Sequence, residues 1–172
     1  MFFNNNIHPN IKIRDKTKNK KSNFKESRGK NEKSGDDMPK VLNDKDIKNI
    51  LNINSDNIKD IIEVSENFAE RISSIPPSKL RDFYDYVVRI NEKLKNDPNY
   101  DWYIEIIRLK PYLTYQASKE SNRNKKEALK ILETDFGAII DRIDKNNINH
   151  FRNFKTFFES VVAYHKKYGK GN

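Results

Sequence analysis

Cysteine is absent from this chain. Without it there is no disulfide framework and no thiolate metal site. That fits a reducing, intracellular setting. No apolar run approaches the ~20 residues that a membrane helix needs. The opening MFFNNNIHPN has no basic stretch followed by an apolar one, so it does not read as a secretory signal. The expected location is the cytoplasm, with no membrane partner. Glycine is scarce, at five residues, and no Gly-rich phosphate loop occurs. Nucleophile elbows and zinc-helix motifs are also missing. Histidine is almost as rare as tryptophan: His8 lies near the N-terminus, His150 at a helix start and His165 at a helix end. The bland reading of His165 is a helix-end residue near the C-terminal dipole. The acid pairs Asp82 with Asp85 and Asp141 with Asp144 read as solvated outer faces rather than metal ligands. The expectation is a protein that is not an enzyme and takes no cofactor and no metal.

What is abundant is charge. Charged residues make up 34% of the 172, against 35% hydrophobic, and the mean hydropathy is -0.97. The formal net charge is +9, but it is unevenly spread. Residues 1–35 hold ten Lys and Arg against three Asp and Glu, and the remaining 137 are nearly balanced, at 24 against 22. Residues 1–40 read as a disordered basic tail. After Ile13 their only apolar side chains are Phe24 and Met38, too few to offset the entropy of ordering. Such a tail favours polyanions without choosing among them.

Helical periodicity takes over beyond the tail. Residues 41–55 form a lead-in segment with Val41, Leu42, Ile47, Ile50 and Leu51, and Asp44 as a possible cap. Residues 56–172 form the helical domain. A first long helix is expected from Asp56 to Ser73, capped by Ser55, with Ile58, Ile61, Ile62, Ser65, Phe68, Ala69 and Ile72 on one face. Pro76-Pro77 breaks the chain. A second helix starts at Ser78 and carries Leu80, Phe83, Tyr84, Val87, Asn91 and Leu94. Its Tyr86, Arg89 and Lys93 share an outer face. A third spans Trp102 to Lys119 and is apolar most of the way round, so it is either central or covered by another subunit. Pro111 should bend or interrupt it near Arg108 to Lys110. A fourth runs from Lys125 to Asp144. The fifth, from Asn149 to Gly169, carries Phe151, Phe154, Phe158, Val161, Val162, His165 and Tyr168. No strand-like alternation is sustained and no repeat is found. The fold class is all-α: a single bundle of about five helices.

Two groups of residues suggest a binding surface. On the third helix Arg108, Tyr112, Tyr115 and Lys119 fall at i, i+4, i+7 and i+11, two rings between two cations. Such a strip can track a nucleic-acid backbone, or both tyrosines can be core. The linker KESNRNKK carries Lys119, Arg123, Lys125 and Lys126 against Glu120. These cations cannot be core, and they suit phosphate contacts or plain solvation.

Three blocks also resemble a known family. Ser78, Arg81 and Phe83 match a capped helix with an Arg-aromatic pattern. Leu109, Lys110, Pro111, Leu113 and Tyr115 match a Leu-Lys-Pro-x-Leu-x-Tyr block. Phe158, Glu159, Ala163, Tyr164 and His165 match a terminal Phe-Glu-x-x-x-Ala-Tyr-His block. In this order, across residues 56–171, they resemble the small helical subunit of type III-A (Csm) CRISPR effector complexes. Where that family often has Gly-Arg, this chain has Ser118-Lys119, which keeps the positive charge. The resemblance implies a non-catalytic subunit present in several copies. The copies would stack end to end beside the crRNA-bearing backbone and line the target-RNA channel. It implies crRNA, target RNA, other Csm subunits and further copies of itself as partners. With the linker cations, it makes Arg81, Lys110, Lys119, Arg123, Lys125 and Lys126 the expected RNA-binding residues, through phosphates rather than bases. A stand-alone helical nucleic-acid binder and a pure protein-interaction bundle are the alternatives.

Overall fold

The computed structural model describes residues 40–169. The tail read from residues 1–40 lies, Lys40 apart, outside them. Six helices and no strand occur among the described residues: α1 Asp44–Leu51, α2 Ile58–Arg71, α3 Pro77–Asn96, α4 Trp102–Lys119, α5 Arg123–Ile140 and α6 Ile148–Tyr168. The expected all-α bundle is what forms, with the lead-in segment supplying its own two-turn helix.

The helix starts differ from the expected caps in an instructive way. Asparagine does most of the capping. Asn43, not Asp44, caps α1: its side chain accepts from the Asp46 N–H at 2.9 Å, and Asp46 accepts from the Asn43 N–H at 3.0 Å. This is a reciprocal capping box. Asn122 accepts from the Lys125 N–H, and Asn147 from the Asn149 N–H, so α5 and α6 both begin earlier than expected. At α2 it is Asn57 rather than Ser55 that precedes the helix, without a side-chain cap bond. Ser78 is not the cap of α3, because Pro77 already occupies the first helical position. Its missing N–H costs nothing there. The chain ends α3 before Asp97-Pro98, with Asp97 extended as a residue before proline must be.

Pro111 does not interrupt α4, which runs unbroken from Trp102 to Lys119. The proline is exposed, while Ile106, Leu109, Leu113 and Ala117 are buried on both sides of it. Packing of those turns against α5 and α3 holds the helix through the lost hydrogen bond. Nor is α4 central. Its Ile104 is 50% exposed and its Tyr115 60%.

The core is aromatic. Phe136 of α5 lies 5.7 Å from Phe68 of α2, stacked, and 4.6 Å from Phe158 of α6, edge to face. Phe154 and Phe157 of α6 complete the ring set around it. Phe157 was not on the expected stripe, yet it is fully buried. Val162 and Tyr168, which were on it, are only partly covered. The stripe is shifted because α6 is covered on more than one side, by α1, α2 and α3.

α1 belongs to the same core, through Leu42, Ile47, Ile50 and Leu51. A buried carboxylate holds its entry. Asp135 of α5 is fully covered and accepts from the Val41 N–H at 2.9 Å and the Leu42 N–H at 3.2 Å. Burial raises its pKa, and the two backbone N–H donors oppose that shift. A polar residue on an apolar helix face carries no sequence signal of such a distant partner.

Two outcomes test this packing by chemical denaturation. Phe158→Ala should cost about 3–5 kcal/mol, the usual range for a buried Phe. Asp135→Ala should cost about 1–3 kcal/mol, because two buried N–H groups lose their acceptor. A loss under ~1 kcal/mol for Phe158→Ala would mean that this ring is not central.

Candidate nucleic-acid interface

The topology brings one set of helix ends together. His165, in the last turn of α6, places its Nε2 3.3 Å from the Ile72 carbonyl at the end of α2. Lys79, in the first turn of α3, pairs with Glu120 at the end of α4 at 3.3 Å. Arg71, the last residue of α2, and Ser74 just after it share a hollow with Asn124 and Ala128 at the start of α5. The ends of α2, α4 and α6 therefore meet the starts of α3 and α5 at one end of the bundle.

That end is rich in cations. Lys119 and Arg123 are exposed, and Lys125 and Lys126 half-buried. The expected linker shrinks to Glu120, Ser121 and Asn122, so Arg123, Lys125 and Lys126 stand in the first turn of α5. No acid accompanies them in that turn. Cations at a helix N-terminus repel its dipole. The arrangement is unfavourable for folding by itself and attractive to an anion. Glu120 offsets part of that charge: its carboxylate accepts from Lys79 and the Asn122 N–H and also feels the Lys125 ammonium, leaving the cations in excess. Those bonds, the Asn122 N–H first, hold its carboxyl below the usual carboxylate range.

The aromatic strip on α4 separates into two parts. Tyr112 is packed against Phe83 at 5.3 Å and Tyr86 at 6.1 Å, so it is core. Tyr115 is exposed, and the Lys119 ammonium sits 4.9 Å from its ring centre. Arg108 is tied to Glu105 at 2.7 Å. On α3, Tyr86 is not an outer residue: its hydroxyl donates to the Glu105 carbonyl at 3.1 Å.

Among the six expected contact residues, Lys119, Arg123, Lys125 and Lys126 cluster. Arg81 is exposed on α3, two residues from Lys79, and so borders the same end. Lys110 stands apart. It lies nine residues before Lys119, roughly 13 Å along α4, and is ion-paired with Asp141. Lys79 and Lys166 also belong to this end, although no motif marked them. Only their positions at a helix start and a helix end hinted at it. Asp82, Asp85, Asp141 and Asp144 are all exposed, as expected. Among the described residues, no three His, Asp or Glu gather as metal ligands, and no helix is long and apolar enough to cross a membrane.

His165 is more buried than a helix-end residue should be, at 1% exposure. Burial lowers its pKa, against the opposing Ile72 and Ile75 backbone contacts. It also backs Gly169, where an added Cβ would meet the His165 carbonyl oxygen at 2.9 Å. The close C-terminal turn there requires glycine for space, not for a left-handed backbone.

Fold and surface together define a small all-helical bundle with one cation-rich end. The Csm2 Type III-A family matches residues 55–171, about two thirds of the chain, and the chain belongs to that family. It is therefore a small subunit of a type III-A CRISPR complex, from a family of generally non-catalytic structural subunits. Membership implies a place in a Csm complex that carries crRNA. No curated protein and no solved structure matches the chain.

The buried His165 yields a prediction with a definite sign. Its folded pKa is depressed, so the unfolded chain takes up the proton first as pH falls. The stability that neutral His165 contributes is present above the usual value of about 6.5 and is lost below it. His165→Leu should therefore lose less stability than the unmodified protein between about pH 6.5 and 5. Parallel denaturation midpoints for the two proteins across that range would refute it.

Proposed function

We propose that this subunit stacks in several copies beside the crRNA-bearing backbone of its complex and lines the target-RNA channel. It contacts RNA phosphates without reading bases. The observation that carries this reading is the acid-free first turn of α5, with Arg123, Lys125 and Lys126, beside Lys119 at the end of α4. Charges placed against a helix dipole make physical sense when an anion completes them. Tyr115, exposed beside Lys119, adds a ring that RNA can approach without sequence preference. Arg81 extends the surface along α3. A contact from Lys110 must compete with Asp141, which makes it the weakest of the six.

One copy spans few phosphates, so the isolated chain binds weakly, and stacked copies add through effective concentration. Base pairing to the guide supplies sequence choice. A stand-alone nucleic-acid binder would instead bind RNA tightly as the isolated chain. A pure protein-interaction bundle would be indifferent to these cations.

The test is simultaneous replacement of Lys119, Arg123, Lys125 and Lys126 by Ala in the assembled complex. Circular dichroism should stay unchanged. Target-RNA affinity should fall to a similar extent for unrelated guide–target pairs. The dependence of log affinity on log salt should flatten by about 1 per phosphate contact removed. Unchanged affinity and slope would exclude this surface, and a loss confined to one guide would indicate base readout.

A further inference from the structure

A hollow of about 560 Å³ lies between the start of α3 and the C-terminal half of α6. Its walls are mostly apolar: Pro77, Leu80, the Tyr84 ring, Val162 and Ala163. Its mouth is cationic, with Arg81 from α3 and Lys166 from α6, both exposed. Among the described residues neither cation has a carboxylate within ion-pair distance. Glu159 also borders the hollow, but it is paired with Lys155 at 3.2 Å. Tyr84 is braced from behind by Phe158, edge to face at 5.4 Å. Its position is therefore set by that core contact together with the Lys155 ammonium, 5.9 Å from the ring centre. An apolar slot with one fixed ring and two unpaired cations at its mouth matches the parts of a nucleotide. The base is flat, apolar on its faces and polar on its edge, and its phosphate is an anion.

We propose that this hollow receives one unstacked nucleotide of the target RNA, with the base against Tyr84, Val162 and Ala163 and the phosphate between Arg81 and Lys166. The proposal rests on the RNA-lining reading above and adds a base-occupied subsite to it. Position favours an RNA strand over a free mononucleotide. Lys79 and Arg81 both stand near the start of α3, and Lys79 pairs with Glu120 beside Lys119, so the hollow lies at the same end of the bundle as the Lys119–Arg123 cluster and within reach of a strand bound there. The slot is sequence-tolerant, since any base offers a flat face to a ring. It therefore adds affinity without overriding guide pairing.

Ala163 gives a clean test, because it lines the hollow and is exposed on α6. Ala163→Trp should fill the hollow and leave circular dichroism and melting unchanged. In the assembled complex it should weaken target-RNA binding about fivefold or more, near the low end for a base stacked on an aromatic. Salt dependence should flatten only by about 1 per expelled nucleotide, the one phosphate held between Arg81 and Lys166. RNAs carrying single abasic positions supply the second arm. With the unmodified complex, abasic sites at particular positions should weaken binding by a similar factor, and Ala163→Trp should erase that difference. If Ala163→Trp binds intact and abasic RNA as the unmodified complex does, the hollow holds no base. If adenosine monophosphate saturates the isolated chain at micromolar concentration and Ala163→Trp abolishes this, the site belongs to a free nucleotide and the proposal falls. The quadruple Ala replacement separates the two readings. If it weakens binding and Ala163→Trp does not, only the hollow is rejected. If neither does, the lining surface is rejected as well.

Discussion

The ring of Phe136 is the point on which the rest of the bundle depends. It stacks on Phe68 of α2 and meets Phe154, Phe157 and Phe158 of α6. One side chain thus ties the consecutive helices α5 and α6 to α2, which lies far from them in sequence. Aromatic rings bury large areas and hold preferred tilts, so such a cluster fixes relative helix positions as well as supplying stability. α4 then pairs with α5 on the other side, and α3 bridges α4 and α6.

This packing decides where the charges go. Because α6 lies against α2 and α3, its last turn meets the end of α2 and the start of α3. Because α4 pairs with α5, the Lys119 and Arg123 ends fall together across a three-residue turn. The cation-rich end and the hollow are both consequences of helix order, not of any one motif. The absence of acids in the first turns of α3 and α5 leaves both helix starts without an internal counter-charge. The proposed RNA contact rests on that surface.

Two buried polar groups mark where the fold accepts a cost. Asp135 binds the entry to α1, and His165 binds the end of α2. Each fixes a connection that apolar contact alone would leave free to slide, because a hydrogen bond has direction and a methyl contact does not. Burying them shifts their pKa values in opposite senses, upward for the acid and downward for the imidazole. In both cases the neutral form is favoured by desolvation.

Sequence alone determined the all-helical class, the bounds of α4, most of the buried stripes and the family. Periodicity and proline placement are local properties, and the three blocks with Arg81, Lys110 and Ala163 among them stand in readable order. Among the expected contact residues the linker cations were legible as charges that could not be core, and Arg81 and Lys110 through the family blocks. Tertiary structure decided which of them stand together. It set Lys110 against Asp141 and turned Tyr112 inward, while leaving Tyr115 beside Lys119. It also carried α4 unbroken through Pro111, added Phe157 to the core and gave Asp135 its partners 93 and 94 residues away. Periodicity can say that a face is buried, but only the neighbouring helices determine how wide that face is and which polar group finds a donor.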